Sequence, residues 1–208
     1  MPFVGGLSFN PTLLSRALGV GLVERADFAR HLASLADAMP GTLFVQTLSY
    51  DTDGIIADAR EIVSITGRER VVIKIPFSEE GLRATQRLEA IGVATCTTSI
   101  FNVLGAYVAA TSGASWIAPY CNRITLRGGD GVAEIRAMAE TFNQHALPCE
   151  ILVASVKTTE ELSAVLLAPA RHVTVSVDLL ERVAHHPASA EASAAFQSAL
   201  RWAEHGKS

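Results

Sequence analysis

The sequence predicts an α/β fold with a parallel sheet, of the (β/α)8 TIM-type barrel class with its first β/α unit lacking or rearranged. Three observations lead there. Short β-branched runs recur along the chain, each followed by a helical pattern. Most of these runs are apolar nearly throughout, as strands are when a parallel sheet is covered by helices. The glycines make no nucleotide fingerprint: "VGGLSFNPT" pairs them in the wrong pattern, and "RGGDG" at 127–131 follows no strand-to-helix turn. A barrel is therefore preferred to a doubly wound nucleotide-binding sheet.

In order, the strands are expected at 4–9, 42–48, 71–75, 93–98, 116–122, 151–155 and 172–177. That is one short of a full barrel, and the gap falls at the front, because the chain starts almost directly in a strand. Between the strands lie amphipathic helices. Ile55, Ile56, Ala59, Ile62 and Val63 share one face, as do Val132, Ile135, Met138 and Phe142. Ser78 suits a helix N-cap, with Glu79 and Glu80 in the first turn where the dipole favours them. The final helix is expected over 189–203, capped by Ser189, with Ala192, Phe196, Leu200 and Ala203 forming its apolar stripe. No Pro/Gly/Ser-rich linker interrupts the chain, so residues 1–208 are expected to form a single domain.

Bulk properties narrow the function classes. With 49% apolar and 18% charged residues, 208 residues suffice for one well-buried core and exclude a disordered chain. A net charge of -4 gives no reason to expect nucleic acid or an anionic membrane as partner. Cys96, Cys121 and Cys149 lie within apolar runs and read as reduced core thiols, which suits the cytoplasm. The first residues carry no basic leader, and no apolar stretch reaches membrane length.

Functional side chains in such sheets gather where strands end at their C-termini. Those ends give Asn10, Gln46, Lys74, Thr98, Tyr120 with Asn122 and Arg123, and Ser155 with Lys157. Each is polar at the close of an apolar run. Lys74 stands out, in "VVIKIPF" (71–77), because the chain has three lysines against fourteen arginines. Alternation places it on one face with Val72 and Pro76. An ammonium among such neighbours loses hydration, which favours the neutral amine that condenses with carbonyls. The competing reading is a lysine that snorkels out of the strand end or pairs with a carboxylate. Tyr120 could hold a water or move a proton, and Gln46 and Thr98 could complete a water site. Arg123, Ser155 and Lys157 offer two cations and a hydroxyl suited to a phosphate, though each cation alone would be ordinary rim charge. No metal site is expected: His185 and His186 are adjacent and point apart on a helix, and no carboxylate–histidine cluster follows.

The motifs "NPTLL" (10–14), "VVIKIPFSEEGL" (71–82), "WIAPYCNRI" (116–124) and "LVASVKT" (152–158) resemble the small transaldolase family, which includes fructose-6-phosphate aldolase. The likeness runs in order from about Gly6 to the last helix. It implies a (β/α)8 barrel, no metal or organic cofactor, and Schiff-base chemistry on a dihydroxyacetone unit. It makes Lys74 the Schiff-base lysine and Asn10 a residue that orients substrate. By the same likeness Arg123, Ser155 and Lys157 hold phosphate, and Thr98 positions a catalytic water shared with Tyr120 and Gln46. Gln46 with Tyr120 is similar to the aldolase branch, where transaldolases carry glutamate and phenylalanine. The family also begins with a strand ending in an aspartate that acts as a general acid/base, and no aspartate precedes Asn10 here. Pocket shape is left to Cys96, Ala118 and Phe9. The resemblance further implies a homo-oligomer, a pentamer or decamer, with the last helix around Phe196 and Trp202 reaching a neighbour.

Three functions follow as alternatives. The first is a Schiff-base aldolase acting on the dihydroxyacetone unit of ketose phosphates. The second is a transaldolase passing that unit to an aldose phosphate. The third is a non-catalytic sugar-phosphate-binding barrel.

Overall fold

The computed structural model describes residues 4–205, with side chains through 198 and at 200. Its strands are β1 (Gly6–Phe9), β2 (Thr42–Gln46), β3 (Val71–Pro76), β4 (Thr95–Ile100), β5 (Trp116–Pro119), β6 (Glu150–Val153) and β7 (His172–Val173). All pair in parallel and in sequence order, β1 to β7. Helices α1 (Pro11–Leu18) and α2 (Arg25–Ala38) follow β1. Next come α3 (Thr52–Thr66), α4 (Glu79–Glu89) and α5 (Val103–Thr111), one after each of the next three strands. The pair α6 (Cys121–Thr125) and α7 (Gly131–Gln144) follows β5, and α8 (Thr159–Leu166) follows β6. After β7 the chain ends in α9 (Val177–Ala184) and α10 (Pro187–His205).

The sheet is strongly curled. Phe44 on β2 meets Trp116 on β5 edge-on at 5.3 Å, although two strands lie between them in the sheet. Such a meeting happens only when the inner faces of β2 and β5 turn toward each other. Among the described residues β1 pairs only with β2, and β7 only with β6, so the curl is an unclosed barrel. This agrees with a TIM-type barrel lacking a unit.

Two layers of core follow from strand alternation. Outward residues such as Leu43, Val45, Ile73 and Ile75 pack with Phe28, Leu32, Ile55, Ala59 and Ile62 from the helices. A second outer cluster joins Ile117, Ile151 and Val153 to Ile135, Met138 and Phe142. Inward residues Phe44, Val72, Cys96, Ala118, Leu152 and Ala154 form a smaller inner cluster. The apolar stripes expected on α3 and α7 thus face the sheet, with Ile56, Val63 and Val132 at their margins.

Helix starts are fixed by side-chain caps. Asn10, Asp51, Ser78, Asn102, Asp130, Thr158 and Ser176 each accept from a backbone N–H three residues on. Several of these caps directly follow strands, so helix N-termini and strand C-termini crowd one rim. The Ser78 cap is as expected.

Several boundaries differ from expectation. The run at 116–122 stops at Pro119, because the chain turns at Tyr120 and enters α6. Asn122 and Arg123 therefore sit on a helix rather than a strand end. The run at 172–177 yields only two strand residues, since Ser176 caps α9. Strand β1 starts at Gly6, not residue 4, and β4 is shifted to Thr95–Ile100. The last helix begins at Pro187; Ser189 lies inside it, its N–H donating to the His186 carbonyl. Its stripe is not core either: Phe196 is 70% exposed and Leu200 67%. The side chains of Trp202 and Ala203 lie outside the described residues.

All three cysteines are free and buried. No helix among the described residues is long and apolar enough to cross a membrane.

Candidate active site

Lys74 is buried, 5% exposed, on the inner face of β3. Its Cα pairs with Gln46 on one side and Cys96 on the other, so all three point into the curl at one level. Burial pushes the Cys96 thiol up to about 12 while the neighbouring Lys74 charge pulls it down, so the sulfur stays protonated. The snorkelling and carboxylate-paired readings of Lys74 are not what the structure shows. Its Nζ instead donates to Ser8 Oγ at 2.9 Å.

Ser8 is not among the polar strand-end residues expected to form the site. It lies on β1, its Cα paired with Phe44, whose ring faces inward. Alternation counted back from Asn10 would have put Ser8 on the same face, but nothing in the sequence says that β1 approaches β3 across β2. Phe9, expected to shape the pocket, points the other way. Its ring packs 6.1 Å from that of Phe28 in the helix–sheet layer.

One level further along the barrel stands a second group. Thr98 Oγ1 donates to Tyr120 Oη at 3.0 Å, with Ser99 Oγ at 3.5 Å from the same oxygen. Thr98 is wholly buried and shares its level with Pro76 and Ala118. It does not cap the next helix; Asn102 does. Ser99 holds a φ of 63° at the irregularity in the β4–β5 register, a left-handed backbone that serine adopts only when its surroundings enforce it. That turn brings its hydroxyl toward Tyr120.

Tyr120 is also a platform. Arg123 lies 4.5 Å above its ring centroid, and Phe101 meets it edge-on at 5.7 Å. Arg127 sits 4.7 Å over Phe101. Arg123 forms no ion pair among the described residues, so its guanidinium is positioned by the tyrosine face rather than by a carboxylate.

Ser155 and Lys157 lie on the loop after β6. Ser155 has a φ of 62°, and its Oγ is buried with no hydrogen-bond partner among the described residues. The loop is joined to α6 by backbone bonds, Cys121 N–H to the Ala154 carbonyl at 3.0 Å and Asn122 N–H to that of Ser155 at 3.2 Å. Glu161 on α8 completes the link: its carboxylate accepts from Asn122 Nδ2 at 2.6 Å and from the Lys157 N–H at 2.7 Å. Asn122 is therefore occupied in holding the rim. Gly131 anchors α6 from behind, where any Cβ would lie 2.2 Å from the Cys121 carbonyl oxygen. Asn10 caps α1 through Oδ1, which accepts from Leu13 N–H at 2.9 Å and leaves its Nδ2 group for other partners.

The structure thus brings Lys74 beside Gln46, links Thr98 to Tyr120, and seats Arg123 on Tyr120 next to the Ser155–Lys157 loop. Asn10 ends the strand that also carries Ser8.

A family model described as Transaldolase/Fructose-6-phosphate aldolase matches residues 2–207. A probable transaldolase of Heliobacterium modesticaldum is 32% identical over 184 residues, covering 88% of this chain and 81% of that protein. One of Thermoplasma volcanium is 31% identical over 193 residues, covering 93% and 84%. Another, of Shouchella clausii, is 29% identical over 182 residues, covering 88% and 80%.

Proposed function

The chain belongs to the transaldolase/fructose-6-phosphate aldolase family, and from that premise we propose that it is a Schiff-base aldolase cleaving the dihydroxyacetone unit from a ketose phosphate. The observation that carries this reading is Lys74, an amine buried inside an unclosed barrel with no carboxylate partner among the described residues and a hydroxyl at 2.9 Å. Its nitrogen lone pair attacks the ketone carbon, and with one proton taken up water leaves, giving an iminium. The bond between the third and fourth substrate carbons then breaks, its electrons moving toward the iminium nitrogen to give an enamine. The hydroxyl proton on the departing carbon is taken up as the aldehyde forms. Tyr120, held by Thr98 and accompanied by Gln46, manages that proton and the later protonation of the enamine through a shared water. Arg123, Ser155 and Lys157 hold the distal phosphate, and Asn10 orients the hydroxyls beside Lys74. The unpartnered Ser155 hydroxyl and the carboxylate-free Arg123 support that assignment.

A second reading is favoured by one finding: the relatives just described are named probable transaldolases. In it the enamine is kept and passed to an aldose phosphate. Gln46 and Tyr120 favour release, hence the aldolase is preferred. Borohydride reduction with dihydroxyacetone or fructose 6-phosphate is expected to add mass at Lys74. An unmodified Lys74 would refute both readings and leave the non-catalytic barrel. Product analysis with and without an acceptor separates aldolase from transferase.

The same reading takes residues 1–208 as one domain of a cytoplasmic enzyme, in keeping with three buried thiols. It also assembles copies into a ring oligomer through the exposed face of α10.

A further inference from the structure

We infer that Ser8 is a catalytic residue, whose hydroxyl relays a proton from the Lys74 amine to the substrate's carbonyl oxygen as the covalent intermediate forms. The inference rests on the Schiff-base reading of Lys74. Its observation is separate: Ser8 Oγ accepts from Lys74 Nζ at 2.9 Å and is the sole hydrogen-bond partner of that nitrogen among the described residues.

The chemistry of the first step asks for such a group. When a neutral amine adds to a ketone, the nitrogen lone pair forms the new N–C bond and the carbonyl pair moves onto oxygen. Nitrogen then carries one proton too many and oxygen one too few. Water can carry the proton between them, but Lys74 is only 5% exposed, and the oxygen already hydrogen-bonded to its nitrogen is that of Ser8. A serine hydroxyl both accepts and donates. Its oxygen already receives the Nζ hydrogen, so its own hydrogen is free to pass to the substrate oxygen, which lies only two bonds from that nitrogen. Ser8 takes one proton and gives one, and the neutral carbinolamine is left with Ser8 unchanged. Atoms and charge balance with no further reagent.

The rest of the site leaves this task open. Thr98 and Tyr120 hydrogen-bond to each other one level beyond Lys74, and Gln46, paired with Lys74 along the sheet, is an amide with no labile acid. Asn10 spends Oδ1 on the α1 cap. Lys74 is also flanked by the Cys96 thiol, which burial pushes up to about 12, so it is not a ready proton carrier.

The test compares the isosteric pair Ser8→Val and Ser8→Thr with wild type, following the rate of borohydride-trapped adduct at Lys74 with dihydroxyacetone. Circular dichroism establishes that each variant is folded. Ser8→Val is expected to trap about 10²-fold more slowly, and Ser8→Thr, which keeps the hydroxyl, near the wild-type rate. The wild-type rate is expected to show a solvent deuterium isotope effect that Ser8→Val lacks. Equal trapping rates for the Val and Thr variants, with wild type trapping normally, overturn the role of Ser8 alone. Failure of wild type to trap at Lys74 overturns the Schiff-base reading itself. If Ser8→Val does not fold, Ser8→Ala replaces it, with the same two outcomes.

Discussion

Tyr120 makes three contacts with different parts of the rim: Thr98 at its hydroxyl, Arg123 on its face and Phe101 at its edge. Removing the oxygen alone should separate these. Tyr120→Phe keeps the ring that carries Arg123, so binding of phosphorylated substrate should change little. The proton path is lost, and turnover is expected to fall by about 10²-fold while Lys74 is still trapped. Steady-state kinetics beside adduct mass spectrometry checks this; an equal loss in both would mean that the hydroxyl serves binding. Some of this residue-level arrangement was legible in the sequence. A lysine in an apolar run, and polar residues closing the neighbouring runs, are local signals that needed only strand alternation. Ser8 and Glu161 were not legible for the opposite reason. Their partners lie far along the chain, and serine in a short strand or glutamate in a helix's first turn is ordinary by itself. Phe9, expected to bear on pocket shape, is turned outward by the same alternation that points Ser8 inward.

At the scale of elements, the β2–α3 loop shows how the fold is held next to the site. Asp58 on α3 is 2% exposed, and its Oδ2 accepts from the Leu48 and Ser49 N–H groups at 2.8 and 2.7 Å. Its Oδ1 meets Arg25 of α2 at 2.7 Å. Burial alone would push this carboxyl up, but the Arg25 guanidinium and the two backbone donors outweigh it and hold it below its ordinary value. A folded-state value lowered in this way contributes stability that is present above the unfolded value and lost as pH falls through the folded one. Chemical denaturation midpoints should therefore drop as pH falls below about 4, and Asp58→Ala should flatten that dependence. The same substitution should cost about 2–3 kcal/mol at neutral pH, chiefly from the two backbone N–H groups left unpaired. Arg25 is 54% exposed, so solvent screens its share of that cost. An unchanged pH dependence in the variant would assign the effect elsewhere. Elements themselves were read well where apolar periodicity is long, as in α3 and α7. They were misread where a turn interrupts a run. The five residues of α6 are too few for a helical period to show, so Asn122 and Arg123 passed as strand.

For the whole molecule, the exposed stripe of α10 is the surface that bears on assembly. Phe196 at 70% and Leu200 at 67% exposure lie four residues apart on one helical face, with nothing over them among the described residues. If copies assemble through that face, as proposed, Phe196→Glu should shift sedimentation velocity from the oligomer to the monomer while the barrel stays folded. A wild-type monomer at micromolar concentration would rule the assembly out. The barrel class was legible because strand–helix alternation is a pattern of the entire sequence. What covers the final helix was not, since its apolar stripe looks the same whether it meets its own chain or another.

The unclosed side of the curl has a consequence for how the protein loses activity. Strand β1 is four residues long and, among the described residues, is hydrogen-bonded along one side only, yet it holds the oxygen that contacts Lys74 Nζ. A ribbon tethered on one margin peels before the layers behind it melt. Gentle heating should therefore silence the lysine while the helical signal is still intact, and cooling should restore it.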